Sequence, residues 1–297
     1  MPYTVDMGLS RMAIAAAGLL VTLPAPDGHR AAYRTAGVSD TAAFYAAVRE
    51  NLARAQRVAH EFSYKERRTK LHTNPFGKLG TDGVELYQVY PCADPELTYR
   101  RLITRDGVPL SEKELTKQDR EYRAKAADAR LRLEKENDGR RRERDATEAS
   151  RRAQVMIEDV VAALQFTITG RGEHDGRAAI IVAFQARPQF RPETREGRTA
   201  QKFAGTIWID PELHEVMHAE AKSTDDVAFG FGIVARLSKG AIGSLTRRPI
   251  EPGLWMPTSV RLTGSGRAVL FIRKWTIDYA IEWFDYQRAG EPPSAKD

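Results

Sequence analysis

The chain has 297 residues, enough for one large β domain or two ordinary domains with a sizeable core. It is 42% hydrophobic and 29% charged, a globular composition, and its net charge of +6 favours anionic surfaces without bearing on fold. A single cysteine, Cys92, excludes an intrachain disulfide and reads as a half-buried small residue beside Pro91.

In chain order, the first element is an export signal. Arg11 precedes an apolar run of 12 residues, Met12 to Leu23, and Pro24, Ala25, Pro26, Asp27 and Gly28 follow. A bilayer span takes about 20 apolar residues, so the run fits the core of a signal peptide over residues 1–28. No clean Ala-x-Ala stands at its end, and no cysteine follows it as a lipoprotein signal would require. The expectation is a secreted or periplasmic product of a bacterial envelope, without a lipid anchor.

Asp40 is placed to cap a helix to about Arg57, on which Phe44, Val48, Leu52 and Ala55 recur at helical spacing. Strand patterns follow over Val58–Leu71, with Phe62 and Tyr64 on one face, then over Val84–Tyr90 and Leu97–Arg105, with Asp82-Gly83 and Asp106-Gly107 as turns. Ser111 and Glu114 form a capping-box pattern. From Glu112 to Arg152 there are 14 Lys/Arg, 11 Asp/Glu and one aromatic residue, Tyr122. Such a segment makes a solvated helix or helical hairpin, supported by charge pairs but lacking a core of its own. Balanced charge and missing stacking aromatics argue against nucleic-acid binding there.

A second apolar helix face is read at Met156, Val160, Ala163 and Leu164. After Gly170 the chain reads as β: Ala178–Ala186, Gln201–Ile209, Phe229–Leu237, Ala241–Arg248, Leu254–Leu262 and Arg267–Tyr286. In the last of these Trp275, Ile277, Tyr279, Ile281 and Trp283 share one parity, while Lys274, Thr276, Asp278 and Glu282 share the other. This is a strand, or a tight hairpin, with one dry and one wet face. The fold class is therefore mainly antiparallel β within α+β, a single domain over residues 40–287 with a helical insert at 111–152 and a disordered tail at 288–297.

The sharpest chemical motif is His214-Glu215-Val216-Met217-His218, which matches H-E-x-x-H. On a helix it would grip zinc and make the protein a hydrolase using His214, Glu215 and His218. Against this, Trp208 to Leu213 reads as a strand, a turn and a return strand, and in extended chain the two imidazoles stand ~13 Å apart. No third ligand sits at the offset of the extended motif, where Ala221 and Thr224 stand. Gly230-x-Gly232-x-x-Ala235 lies in a strand pattern and lacks the context of a dinucleotide fingerprint. The reading is non-catalytic, without metal or cofactor.

Phe203-Ala-Gly205-Thr-Ile-Trp208-Ile-Asp210-Pro211-Glu212, Leu237-Ser-Lys-Gly240 and Leu254-Trp255-Met256-Pro257 resemble segments of the periplasmic lipoprotein carrier family, also labelled outer-membrane lipoprotein-sorting proteins. The resemblance covers most of residues 40–287 and implies an unclosed β barrel, or half-barrel, with helices as a lid over a hydrophobic cavity. It implies carriage of a lipid or an acylated protein, peripheral membrane contact and a monomer. On that implication Phe62, Tyr64, Val182, Phe184, Ile207, Phe231, Ile233, Trp275, Ile277, Tyr279 and Ile281 line the cavity. Phe44, Val48, Leu52, Met156, Val160 and Leu164 belong to the lid. The second expectation is an envelope regulatory or scaffold protein on the same fold, which binds another protein through the 111–152 arm.

Overall fold

The computed structural model describes residues 40–73, 79–92, 94, 97–135, 155–156, 158–229, 235–268 and 271–288. These fall into two compact units, one of residues up to 56, 71–82 and 155–280, the other of 57–70, 83–154 and 281 onward. Antiparallel β structure dominates both. Among the described residues, β4 (Val108–Pro109) pairs with one strand and β5 (Leu164–His174) with one strand.

Unit one begins with helix α1 (Thr41–Val58), most of which lies in it. The Asp40 carboxylate accepts from the Ala43 N–H at 3.0 Å, the cap expected from sequence. The helix buries the apolar stripe Phe44, Val48, Leu52 and Ala55, and Tyr45 with it. Its strands are β5, β6 (Arg177–Ala186), β7 (Phe203–Ile209), β8 (Val216–Ser223), β11 (Ile242–Glu251), β12 (Leu254–Ala268) and the first half of β13 (Phe271–Arg288). They neighbour one another in the order β13-β12-β11-β8-β7-β6-β5, while β9 (Val227–Phe229) pairs with β10 (Ala235–Leu237) and β10 with β12.

Register explains why the interior is dry. Ile168 pairs with Val182, which pairs with Ile207, then Ala219, Leu245 and Val260 across six strands. Phe166, Phe184 and Gly205 form the parallel row, and a side chain at Gly205 would overlap the Glu220 carbonyl. Period-two alternation puts Thr206, Glu220, Ser244 and Arg261 on the opposite face. A short helix α3 (Arg195–Ala200) precedes β7 and is capped by Thr194.

Two sequence expectations change here. Leu164, read as part of a helix face, is the first residue of β5, and the helical residues before it end at 162. The alternation Leu164, Phe166, Ile168 is buried on every second residue, so strand period prevails over a helical reading of the same apolar run. Cys92, expected half-buried, is exposed.

Unit two holds β1 (Phe62–Thr73), β2 (Leu79–Tyr90), β3 (Tyr99–Arg105), β4 and the end of β13, with helix α2 (Glu112–Lys135). Part of β1 and part of β2 belong to unit one. Asp106 and Gly107, at φ 53° and 79°, make the tight hairpin turn between β3 and β4 that the sequence announces. The capping box is formed: Ser111 N–H donates to the Glu114 carboxylate at 3.0 Å. Helix α2 is bound to β3 through Gln118, which bridges the Leu102 backbone, through an Asp119–Arg101 ion pair at 2.8 Å, and through Tyr122 stacked on Tyr99 at 4.1 Å. The remainder of the expected insert, residues 136–154, lies outside the described residues, as do residues 1–39 and 289–297.

Glu66 on β1 is buried in unit two, and its two oxygens accept from Arg100 at 2.7 and 2.8 Å, from Arg68, and from the Trp283 indole at 3.0 Å. Burial alone would raise its carboxyl, but Arg100 and Arg68 outweigh that and hold it below the ordinary 4.5. With a depressed folded-state value, ionised Glu66 stabilises fully above pH 4.5 and loses that contribution as pH falls through the folded value. Glu66→Gln should therefore cost about 3 kcal/mol at neutral pH by removing the buried charge that pairs with Arg68 and Arg100. In urea unfolding across a pH series, the gap between wild type and variant should narrow below pH 4.5. A gap that does not change with pH would contradict this role.

Candidate functional site

Three strand connections of unit one converge on one cleft of about 410 Å³, lined by Arg177, Leu213, the Pro249–Gly253 loop and Trp255. The β7–β8 turn is built by Asp210. Its carboxylate accepts from the N–H groups of Glu212 (3.0 Å) and Leu213 (2.9 Å), while its backbone C=O accepts from His214. Burial works against its charge, but the Leu213 N–H, Arg177 and the Glu212 N–H outweigh it and hold the carboxyl below its usual range. His214 closes the turn at φ 55°, a left-handed conformation, and β8 follows at Val216.

The H-E-x-x-H segment is thus a turn running into a strand. His214 stacks edge-on against Phe44 of α1, and His218 lies on the polar face of the sheet opposite Trp208. Glu215 between them is engaged elsewhere. It and Arg247 are each 3% exposed and 2.9 Å apart, and Arg54 of α1 reaches its other oxygen at 3.3 Å. Arg247 also donates to the carbonyls of Val216 and Trp255, at 3.3 and 2.7 Å. Burial raises the Glu215 carboxyl above its ordinary value, and Arg247 and Arg54 act against that rise. No group of three His, Cys, Asp or Glu among the described residues could hold a metal ion.

Helix α1 is fastened to this region by side chains. The Asn51 amide donates to the carbonyls of Leu213 (2.7 Å) and His214 (3.1 Å), and Arg54 donates to Gly253 O at 2.7 Å. Arg177, at the start of β6, pairs with Asp210 at 2.9 Å and lies over the Trp255 ring at 5.4 Å. The cleft therefore has a Trp255 floor, an Arg177 wall and an apolar rim that includes Leu213, a large side chain 47% exposed on a braced turn.

The residues expected to line a cavity are divided between the two units. Val182, Phe184, Ile207, Ile277 and Tyr279 lie in unit one, whereas Phe62, Tyr64 and Ile281 lie in unit two. Except for Tyr64, all of these are 0–7% exposed. Tyr64 is half-buried against Tyr286, and burial pushes its hydroxyl up to about 12. Phe231 and Ile233 lie outside the described residues, and so does the side chain of Trp275. Of the lid set, Phe44, Val48, Leu52 and Val160 are buried and Met156 is half-buried. Arg177, which lines the cleft, and Asn51, Arg54 and Arg247, which fasten its surroundings, carry no local sequence signal. Asp210-Pro211 was the one usable signal, as an Asx-type turn start; the others read as ordinary surface polar residues.

Comparison with family models and with curated proteins returns no match. Among solved structures, a DUF1329 family protein from Desulfovibrio piger aligns over 83% of this chain and 92% of its own at 12% identity, with a TM-score of 0.30. MucB in the MucA/MucB complex of Pseudomonas aeruginosa aligns over 81% and 94% at 8% identity, TM-score 0.21. A second MucA–MucB crystal structure gives 80%, 93%, 8% and 0.20. At such scores these likenesses carry no argument about this chain. No described helix is long and apolar enough to cross a membrane.

Arg247→Met would leave Glu215 buried with a half-exposed arginine as its one remaining cation. The expected loss is about 3 kcal/mol in urea unfolding, and an unchanged midpoint would show that the pair does not hold these connections together.

Proposed function

We propose that the protein is a non-catalytic binding protein of the bacterial envelope which recognises another protein, with the hairpin-end cleft as its docking recess. The observation that supports this is the burial of the expected cavity wall. A side chain facing a space wide enough for an acyl chain keeps accessible surface there, whereas Val182, Ile207 and Tyr279 are at most 1% exposed. Such burial is what a packed core gives. Leu213, by contrast, is a large apolar side chain offered to solvent on the turn beside Arg177, and arginine is enriched at protein interfaces. Helix α2 supports the same reading. Its inner face is used on β3, and its other faces are exposed with mixed charge. The export signal read at the N-terminus supplies the compartment.

Carriage of a lipid is the second reading, favoured by the stripe Phe44, Val48 and Leu52 on a helix whose fastenings include the polar side chains Asn51 and Arg54. Release of that helix would free apolar surface worth roughly 0.8 kcal/mol per buried methylene of a guest. Native mass spectrometry of the purified protein separates the two. The docking reading expects the bare polypeptide mass, with no mass gained on incubation with phospholipid. One acyl lipid per chain, lost on organic extraction, would overturn it in favour of carriage.

A further inference from the structure

The end of the β5–β6 hairpin is fastened by an unusual set of groups. Asp175 and Gly176, at φ 49° and 75°, form its tight turn. Beside the turn, His174 stacks face to face on His218 of β8, with ring centres 4.5 Å apart and planes 14° from parallel. Trp208 of β7 closes on both rings, at 5.9 and 5.2 Å. His218 Nδ1 shares a hydrogen bond with the Thr246 hydroxyl at 3.0 Å, while His174 Nε2, buried and without a hydrogen bond, stands 3.9 Å from the Asp175 carboxylate, with which a protonated ring would pair. Two salt bridges flank the stack, Asp175–Arg248 at 2.7 Å and Arg177–Asp210 at 2.9 Å.

We propose that this hairpin end is a pH-sensitive clasp, in which protonation of His218, stacked on His174, releases residues 171–178 from β7 and β8 and with them the Arg177 wall of the cleft. Two imidazoles at this distance share one face of contact, and placing a proton on each sets like charges against each other in a half-buried site. The groups around the pair are Glu173, Asp175 and Arg177 on the hairpin, Glu220 on β8, Arg248 on β11 and the neutral Trp208 and Thr246. Burial and His174 lower the tendency of His218 to take a proton, while Glu220 and Asp175 act more weakly in the opposite direction; the imidazole is held below its ordinary 6.5. A released hairpin frees His218 to titrate normally. Protons therefore favour the released form, and the clasp weakens as pH falls below 6.5.

This inference stands on the hairpin end alone, so its failure leaves the docking reading intact. The test is amide exchange of residues 171–179 in the full chain, expressed as protection relative to intrinsic rates, at about pH 7.5 and about pH 5. Wild type should lose protection in this segment at the lower pH. His218→Gln, which keeps a polar group toward Thr246 but cannot charge, should show no such pH dependence. In parallel, NMR titration should show the His218 shifts moving upward in pH when His174 is replaced by Gln. Constant protection in wild type, or an equal loss in His218→Gln, would overturn the clasp. If neither variant folds, the wild-type titration decides: two coupled steps support the proposal and two independent steps near the ordinary value refute it.

Discussion

A carboxylate cannot sit in a protein interior without a cation and hydrogen bonds to replace the water it has lost. Glu215 meets that requirement by drawing Arg247 from β11 and Arg54 from α1 onto its two oxygens. Arg247 in turn donates to the Trp255 and Val216 carbonyls, and Arg54 to the Gly253 carbonyl. One buried charge thereby ties the first helix to the β7–β8 turn and the β11–β12 hairpin, segments far apart in sequence. The cleft exists because these connections are held at fixed separations, and its wall and rim residues Arg177 and Leu213 are set by the same turn, through Asp210.

The same constraint explains why an apparent metal motif is not one. His-Glu-x-x-His works on a helix because a four-residue step returns to the same face. Here Asp210 gathers the N–H groups of Glu212 and Leu213 into a turn, and His214 takes a left-handed conformation. The chain then leaves as a strand, so the two imidazoles enter different surroundings: one against Phe44, the other in the stack with His174. The motif's residues are all used, but for fastening rather than for chemistry.

Much of the architecture was legible in the sequence. The Asp40 cap, the stripe from Phe44 to Ala55, the Ser111–Glu114 box and the alternation from Trp275 to Trp283 each map onto an element of the expected kind. Period and capping are local properties, carried by neighbouring residues. Leu164 was misplaced because a short apolar run satisfies both helical and strand spacing, and only its pairing with Ala186 decides between them. The site was much less legible. Glu215 lies 161 residues from Arg54 and 32 from Arg247, and the three meet only in the folded chain. No local pattern distinguishes a buried arginine from an exposed one. The cavity wall implied by the resemblance draws on strand alternation, which identifies the dry face of a strand but not whether that face is packed or hollow.

The account rests on the coupling between α1 and the β7–β8 turn through Glu215. A double-mutant cycle with Arg54→Met, Glu215→Gln and the pair, read by urea unfolding, measures that coupling directly. The account predicts an interaction energy of about 1 kcal/mol or more, with the double variant losing less than the sum of the single losses. Single effects that add to within about 0.3 kcal/mol would contradict it, and would mean that the helix is held by its apolar stripe and the Asn51 amide rather than by the Arg54–Glu215 pair.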